Sequence, residues 1–449
     1  MAARQTPDPL ATLDRLIRAS RAAGADAADA IIVSGVSAGV SYRLGKLEDV
    51  ERAESTDLGL RVFVGQRVGF VSSSDISDGT LADLPGRAVA MAKLAPEDRF
   101  AGIAPRELLA ATFPNLDLDD GREPATDALV EAARAVEGAA MSVKGITNSE
   151  GGSASYGRSD IALATSNGFS GRYSASSYGV GVSVLAGDGV GMERDDDFAS
   201  ARHIADLEGP DAVGKRAGER AVARLNPRKV KSQTVPVVYD PRAASGLLGH
   251  FASAISGASI ARGVSFLKDR MHQPVFAKNI AIVDDPHRLR GLRSKPFDGE
   301  GVRNRRWNLI ADGVLKTWLL DTTSARQLGL VSTGHAARGT GSPPSPSTTN
   351  LYMAPGTVTR DALLAGIAQG FYVTELMGMG VNNVTGDYSR GASGFWIENG
   401  RIAYPVSEVT IAGNLKDMFL NLAPANDLVF RYGANAPTVR IESMTVAGA

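Results

Sequence analysis

The chain has 449 residues with 48 Lys+Arg against 49 Asp+Glu, a net charge of -1, so no global field draws it toward nucleic acid or an anionic membrane. It contains no cysteine, which excludes disulfides, thiolate nucleophiles and sulfur-ligated zinc or iron–sulfur centres. The length suits about two or three domains; the start, Met1 to Pro9, lacks a secretion pattern and no run approaches the ~20 apolar residues of a membrane span, so a cytoplasmic protein is expected.

In chain order, Asp8-Pro9 predicts a capped helix with Leu10, Leu13, Leu16 and Ile17 on one face until Gly24. Ala30–Val33, Val40–Leu44 and Leu58–Val64 then read as short strands, with a tight turn at Gly65-Gln66-Arg67 before Val68–Val71. A helix is predicted over Leu81–Leu94, and a passage with Pro96, Pro105, Pro114 and the acidic run Asp117–Asp120 marks a first boundary. Ala125–Ala140 has the core spacing of a helix, followed by strands at Ile161–Thr165, Gly171–Ser177 and Gly179–Leu185 and a helix over Ala212–Leu225. Each segment passes from a meander through a Gly-rich hairpin, Gly65–Gly69 or Gly187–Gly191, into a helix, which suggests an internal duplication.

Beyond this, Thr234–Tyr239 reads as a buried strand and Gly246–Gly257 as an apolar helix, followed by many short strands. The expected fold class is therefore α+β. N-terminal (1–115) and middle (116–228) α+β regions with antiparallel sheets precede a β-rich, barrel-like C-terminal domain (229–449).

Few residues have the spacing of a chemical site. His250 is alone on its helix, and His203, His272, His287 and His335 are scattered. Glu193 with Asp195-Asp196-Asp197 lacks the order of a calcium loop and reads as a solvated acidic loop. Asp284-Asp285-Pro286 reads as turn chemistry, while Asp298-Gly-Glu300-Gly offers two carboxylates for acid–base work. Gly378-Met-Gly380 has Asn383 where a dinucleotide fingerprint needs its third glycine, and Gly391-Ala-Ser393-Gly394 has the wrong spacing for a nucleophile elbow. Gly334–Tyr352 is long and polar, a loop that is either functional or disordered; its Arg338 and Asn350 carry groups that can hold a peptide backbone or a carboxylate.

Several stretches together carry a resemblance: Ser265–Asp269, Asp284–Pro286, Phe297–Val302, Gly313–Arg326, Gly386–Gly400 and Thr410–Leu415, with the ending Met444–Gly448. In these the chain resembles the TldD/PmbA family, on its PmbA (TldE) branch. The resemblance implies a subunit of a cytoplasmic zinc metallopeptidase that degrades or trims unfolded peptides. The catalytic TldD branch carries a His-Glu-x-x-x-His helix and a later cysteine. Laid on this sequence, those positions are His250, Phe251 and Ile255, and the cysteine has no counterpart. A catalytic zinc needs three protein ligands, a water and a nearby carboxylate. The resemblance thus implies no catalytic residue, metal or cofactor in this chain, and zinc in a TldD-type partner with which it forms a heterodimer. Arg338 and Asn350 are the expected substrate contacts. The alternative is a free-standing homodimeric scaffold without peptidase activity. Neither reading involves nucleic acid or a membrane, although family members are labelled modulators of DNA gyrase.

Overall fold

Asp8 accepts the Leu10 N–H at 3.4 Å and Pro9 opens the first turn, so α1 runs Pro9–Ala22 with Leu13, Leu16 and Ile17 buried, as the spacing predicts. The computed structural model describes residues 8–448; residues 1–7, which carry most of the secretion-signal reading, lie outside it.

After α1 come β1 (Ala27–Arg43), β2 (Lys46–Val64), β3 (Arg67–Ser73) and α2 (Asp78–Leu94). A second set follows: α3 (Thr126–Met141), β4 (Ile146–Thr165), β5 (Ser170–Ala186), β6 (Glu193–Ala201) and α4 (Pro210–Ala223). Both sets build one sheet, in the order β3-β2-β1-β4-β5-β6. They join where β1 and β4 run antiparallel, from Asp29 opposite Thr165 to Tyr42 opposite Gly152. Each Gly-rich hairpin sits between the second and third strands of its set, so the repeated sequence pattern matches a repeated helix–three strands–helix unit.

The strands are longer than the sequence pattern suggests. Ala30–Val33 and Val40–Arg43 belong to a single 17-residue strand that continues through Gly35 and Gly39, and Leu44 falls in the turn that follows. Ladder bonds to β2 and β4 satisfy the backbone of this inner strand on both sides, which holds residues of poor strand propensity in place.

All four helices cover one face of the sheet. Ala30, Ile32 and Leu60 pack with α1 and α2, and Val180, Val182 and Val184 pack with α3 and α4. The other face meets the C-terminal domain. There Ile31 and Leu163 pack with Phe169 and Phe297, whose rings stand edge to face at 4.9 Å. The loop after Arg338 also lies flat on β2, where a Cβ added at Gly59 would sit 2.4 Å from the Thr340 carbonyl oxygen. Gly59→Ala must displace backbone, and is expected to lower stability by about 1–3 kcal/mol in urea unfolding. A neutral result would mean that the loop does not pack there in solution.

In the C-terminal domain β7 (Gln233–Tyr239) is a central strand, parallel to Gln369–Met377 and antiparallel to Val439–Ala447. Asp387–Glu398 and Arg401–Asn414 extend the sheet, and Thr410 pairs with Ala447 to close a five-stranded barrel. The expected α+β class with a barrel-like C-terminal domain is what forms. A second sheet runs in the order Val314–Leu315, Trp307–Ala311, Ile282–Asp284, Leu351–Met353, Ala434–Asn435.

Between barrel and second sheet lies α5 (Pro241–Ala254), and its bounds differ from the predicted Gly246–Gly257. It starts earlier because Asp240 accepts the Arg242 N–H at 3.0 Å and Pro241 takes the first helical position. It stops earlier because Ile255 and Gly257 turn to bond the Leu319 backbone at 3.0 and 2.8 Å. Leu247, Leu248, Phe251 and Ile255 from this segment share one apolar core with Val237, Phe371 and Ile310. Full burial of such a side chain contributes ~1.5–3 kcal/mol.

Candidate functional site

The helix α5 has two unlike faces. On the open one, Gly246 and Gly249 are exposed, and a Cβ added at either would meet nothing within 4 Å. His250 lies half-buried, edge-on to the Tyr388 ring at 5.9 Å. Burial, and then the charge of Arg390, lower its pKa below the usual 6.5, which leaves a neutral imidazole at pH 7. On the other face Phe251 and Ile255 are both 0% exposed, with the Phe251 ring edge to face with Phe276 at 5.2 Å.

This set of residues does not fit a zinc ion. A phenyl ring and an aliphatic chain carry no donor atoms, and their positions point into packed hydrocarbon, leaving one imidazole beside an arginine. Among the described residues no three His, Asp or Glu side chains converge on a point that could hold a metal.

At the N-terminal end of α5 a cleft of about 570 Å³ separates β6 from the barrel. Met192, Glu193 and Asp196 line one side, and Arg242, Gly246 and Arg390 line the other. The acidic run is here a strand and not the solvated loop its composition suggests. Asp195 and Asp197 alternate inward at 3% and 2% exposure. Arg242 and Arg224 approach Asp195 at 2.8 and 3.4 Å, while Arg216 and Arg220 approach Asp197 at 2.6 and 3.1 Å. Arg224 also meets Glu375 of the barrel at 2.5 Å, so these pairs tie α4, β6, α5 and the barrel together around the cleft. As the last strand of its sheet, β6 has one unpaired edge, and its Asp196 carbonyl accepts Arg242 Nη1 at 3.1 Å.

The loop residues expected to touch a substrate are placed otherwise. The Arg338 side chain is 0% exposed and ion-paired with Asp29 of β1. Asn350 is 3% exposed; its Oδ1 accepts the Arg293 N–H at 2.9 Å, and its Nδ2 donates to the Asp285 carbonyl and Ser294 Oγ at 2.7 and 2.8 Å. Both side chains are buried and hold the loop in place. Within the loop Ala336–Ala337 pairs with Ser345–Pro346 as a short antiparallel ladder.

The candidate carboxylates Asp298 and Glu300 are also buried, at 1% and 2% exposure. Asp298 accepts backbone N–H groups of Glu300, Val302 and Ala336 at 2.9, 2.8 and 3.1 Å. Burial, and then the neighbouring Glu300, push its carboxyl up to about 7. Of the pair read as turn chemistry, Asp285 does form a turn, accepting the His287 N–H at 3.0 Å. Asp284 instead ends a strand, fully buried, accepting Thr349 N and Oγ1 at 2.7 and 2.6 Å with His335 Nε2 at 3.3 Å.

Comparison with known proteins agrees with this architecture. Residues 28–92, 119–225 and 232–448 match the first, central and C-terminal domains of the PmbA/TldA metallopeptidases. The chain is 39% identical to a metalloprotease PmbA of Escherichia coli O157:H7, covering 94% of this chain and 92% of that protein. A crystal structure described as a putative modulator of DNA gyrase from Bacteroides thetaiotaomicron superposes with a TM-score of 0.91 at 26% identity, over 99% of this chain and 100% of that one. TldE from Thermococcus kodakarensis shares the fold, with a TM-score of 0.87 at 20% identity over 97% and 100% of the two chains. No helix among the described residues is long and apolar enough to cross a membrane.

Proposed function

Since the chain belongs to the PmbA/TldD metallopeptidase family, we propose that it is a noncatalytic, PmbA/TldE-type subunit of a peptidase complex. One observation carries the reading. At the two positions where the catalytic branch places a glutamate and a histidine, this chain has Phe251 in α5 and Ile255 just past its end, both closed inside a packed core. The zinc would then belong to a TldD-type partner, and this subunit would supply scaffold and substrate-channel surface.

The cleft beside α5 suits that role. An extended peptide can lie along the open edge of β6, where main-chain hydrogen bonds accept any sequence, while the cleft walls exclude folded domains. Unfolded peptides are the substrate class this predicts. Arg338 and Asn350 act on it only by holding the loop in place.

The test is reconstitution. Peptide hydrolysis should appear only when this chain is mixed with a TldD-type chain from the same cell, and zinc should travel with the partner. In that complex Gly246→Trp, which projects an indole into open space from an exposed helical position, should lower kcat/KM about tenfold or more at unchanged melting temperature. Hydrolysis by this chain alone, with stoichiometric zinc that survives dialysis, would refute the proposal.

A further inference from the structure

On the sheet face turned away from the helices, β4 and β5 look across a cavity of about 430 Å³ at the loops bearing Arg293 and Thr348. Its size is that of a small-ligand site, about 300–1,000 Å³. Arg202, Arg293 and Lys295 line it, and no carboxylate stands among the described residues of its wall.

These cations lack the partners that the other inner arginines have. Arg216, Arg224 and Arg242 each meet a carboxylate within 3.4 Å. Arg202 donates only to backbone carbonyls, those of Ser176 at 2.9 Å, Gly291 at 3.4 Å and Leu292. Lys295 donates to the Ala336 carbonyl at 3.1 Å. Asp298 and Asp284 lie in its field, but backbone N–H groups occupy the first, and Thr349 and His335 the second. Arg293 adds a third positive charge on the exposed rim.

Gathering desolvated like charges is costly unless an anion joins them. Burial accordingly lowers both Lys295 and Arg202 from their usual values. The remaining wall is rich in hydroxyls, among them Ser159, Ser177 and Thr348. Guanidinium, ammonium and hydroxyl side chains lining one space are the donor types that a carboxylate or phosphate group needs.

We propose that this cavity is an oxyanion-binding site in which Arg202, Arg293 and Lys295 hold either the terminal carboxylate of a short peptide or a phosphate group. The site belongs to this chain alone and does not depend on the subunit reading. Its failure or success is therefore separable from that of the reconstitution.

Titration calorimetry on the isolated full chain at low salt tests it with three probes: inorganic phosphate, a short unstructured peptide with a free C-terminus, and the same peptide amidated. Either anionic probe should bind, and binding should weaken about tenfold or more in Arg293→Glu, and again as salt rises. Phosphate binding without peptide binding assigns the phosphate class. Peptide binding that amidation abolishes assigns the terminal carboxylate. Because Arg293 is exposed, Arg293→Glu should retain the wild-type circular dichroism, so lost binding is not lost folding. The proposal is overturned if neither anionic probe binds, if amidation leaves the only binding unchanged, or if Arg293→Glu binds like the parent.

Discussion

An Arg61→Met variant is expected to lose about 3–5 kcal/mol of folding stability in urea unfolding, the range seen when one member of a buried ion pair is removed. Arg61 on β2 is 4% exposed and grips Asp29 of β1 through Nε and Nη2, at 3.0 and 2.5 Å, with Glu300 of the C-terminal domain at 3.4 Å. Arg338 reaches Asp29 from the same domain. The four groups form a charge cluster at the seam between the six-stranded sheet and the C-terminal domain. Removing Arg61 leaves Glu300 buried without its ion-pair partner, held by the Thr322 N–H at 2.8 Å and within the field of Arg338. A loss below about 1 kcal/mol would show that water or rearrangement satisfies Glu300, and that the seam does not depend on the pair.

The same cluster sets a pH dependence. Burial alone would raise Asp29, but Arg338 and Arg61 outweigh it and hold the carboxyl below its usual 3.8. Its stabilising contribution is therefore complete above pH 3.8 and is lost as the pH falls through the lowered folded value. The acid-induced loss should shrink in Arg61→Met.

The double variant Phe251→Glu, Ile255→His, which writes the catalytic-branch residues back at the end of α5, is expected to bind no zinc and to lose at least about 3–5 kcal/mol. Truncating a core phenylalanine costs about that much, and a carboxylate placed among Phe276 and Phe419 adds a desolvation cost. No cysteine exists to complete the ligand set. His250→Ala, at a half-buried position on the open face, is the control and should cost under about 1 kcal/mol. A stably folded double variant that retains one zinc per chain through dialysis would mean that the core around Phe251 opens readily.

Local signals located most of the elements. Asp8-Pro9 announced α1, and the apolar spacing of α2, α3 and α4 placed those helices within a few residues of where they form, because caps and 3.6-residue periodicity are properties of a short window. The Gly-rich hairpins were equally legible. Strand length was not, since Gly35 and Gly39 look like breaks until β2 and β4 hold β1 from both sides. The acidic run was misread for a related reason. Asp195 and Asp197 alternate with the period of a strand, which was the available signal, but the arginines that neutralise them come from α4 and α5.

Barrel character could be inferred from many short strands, whereas closure could not. It rests on β7 pairing with Gln369–Met377 and on Thr410 meeting Ala447, contacts between distant parts of the chain. The cationic cavity was missed for the same reason, as Arg202, Arg293 and Lys295 share no motif.

Donor chemistry is a property of each residue, so the sequence by itself determined that Phe251 and Ile255 cannot ligate a metal and that no thiolate is available. Burial and partnership are properties of long-range contacts. Only the tertiary structure therefore decided that those two side chains are core, that Arg338 and Asn350 hold a loop instead of facing a substrate, and that three cations without carboxylate partners line one cavity.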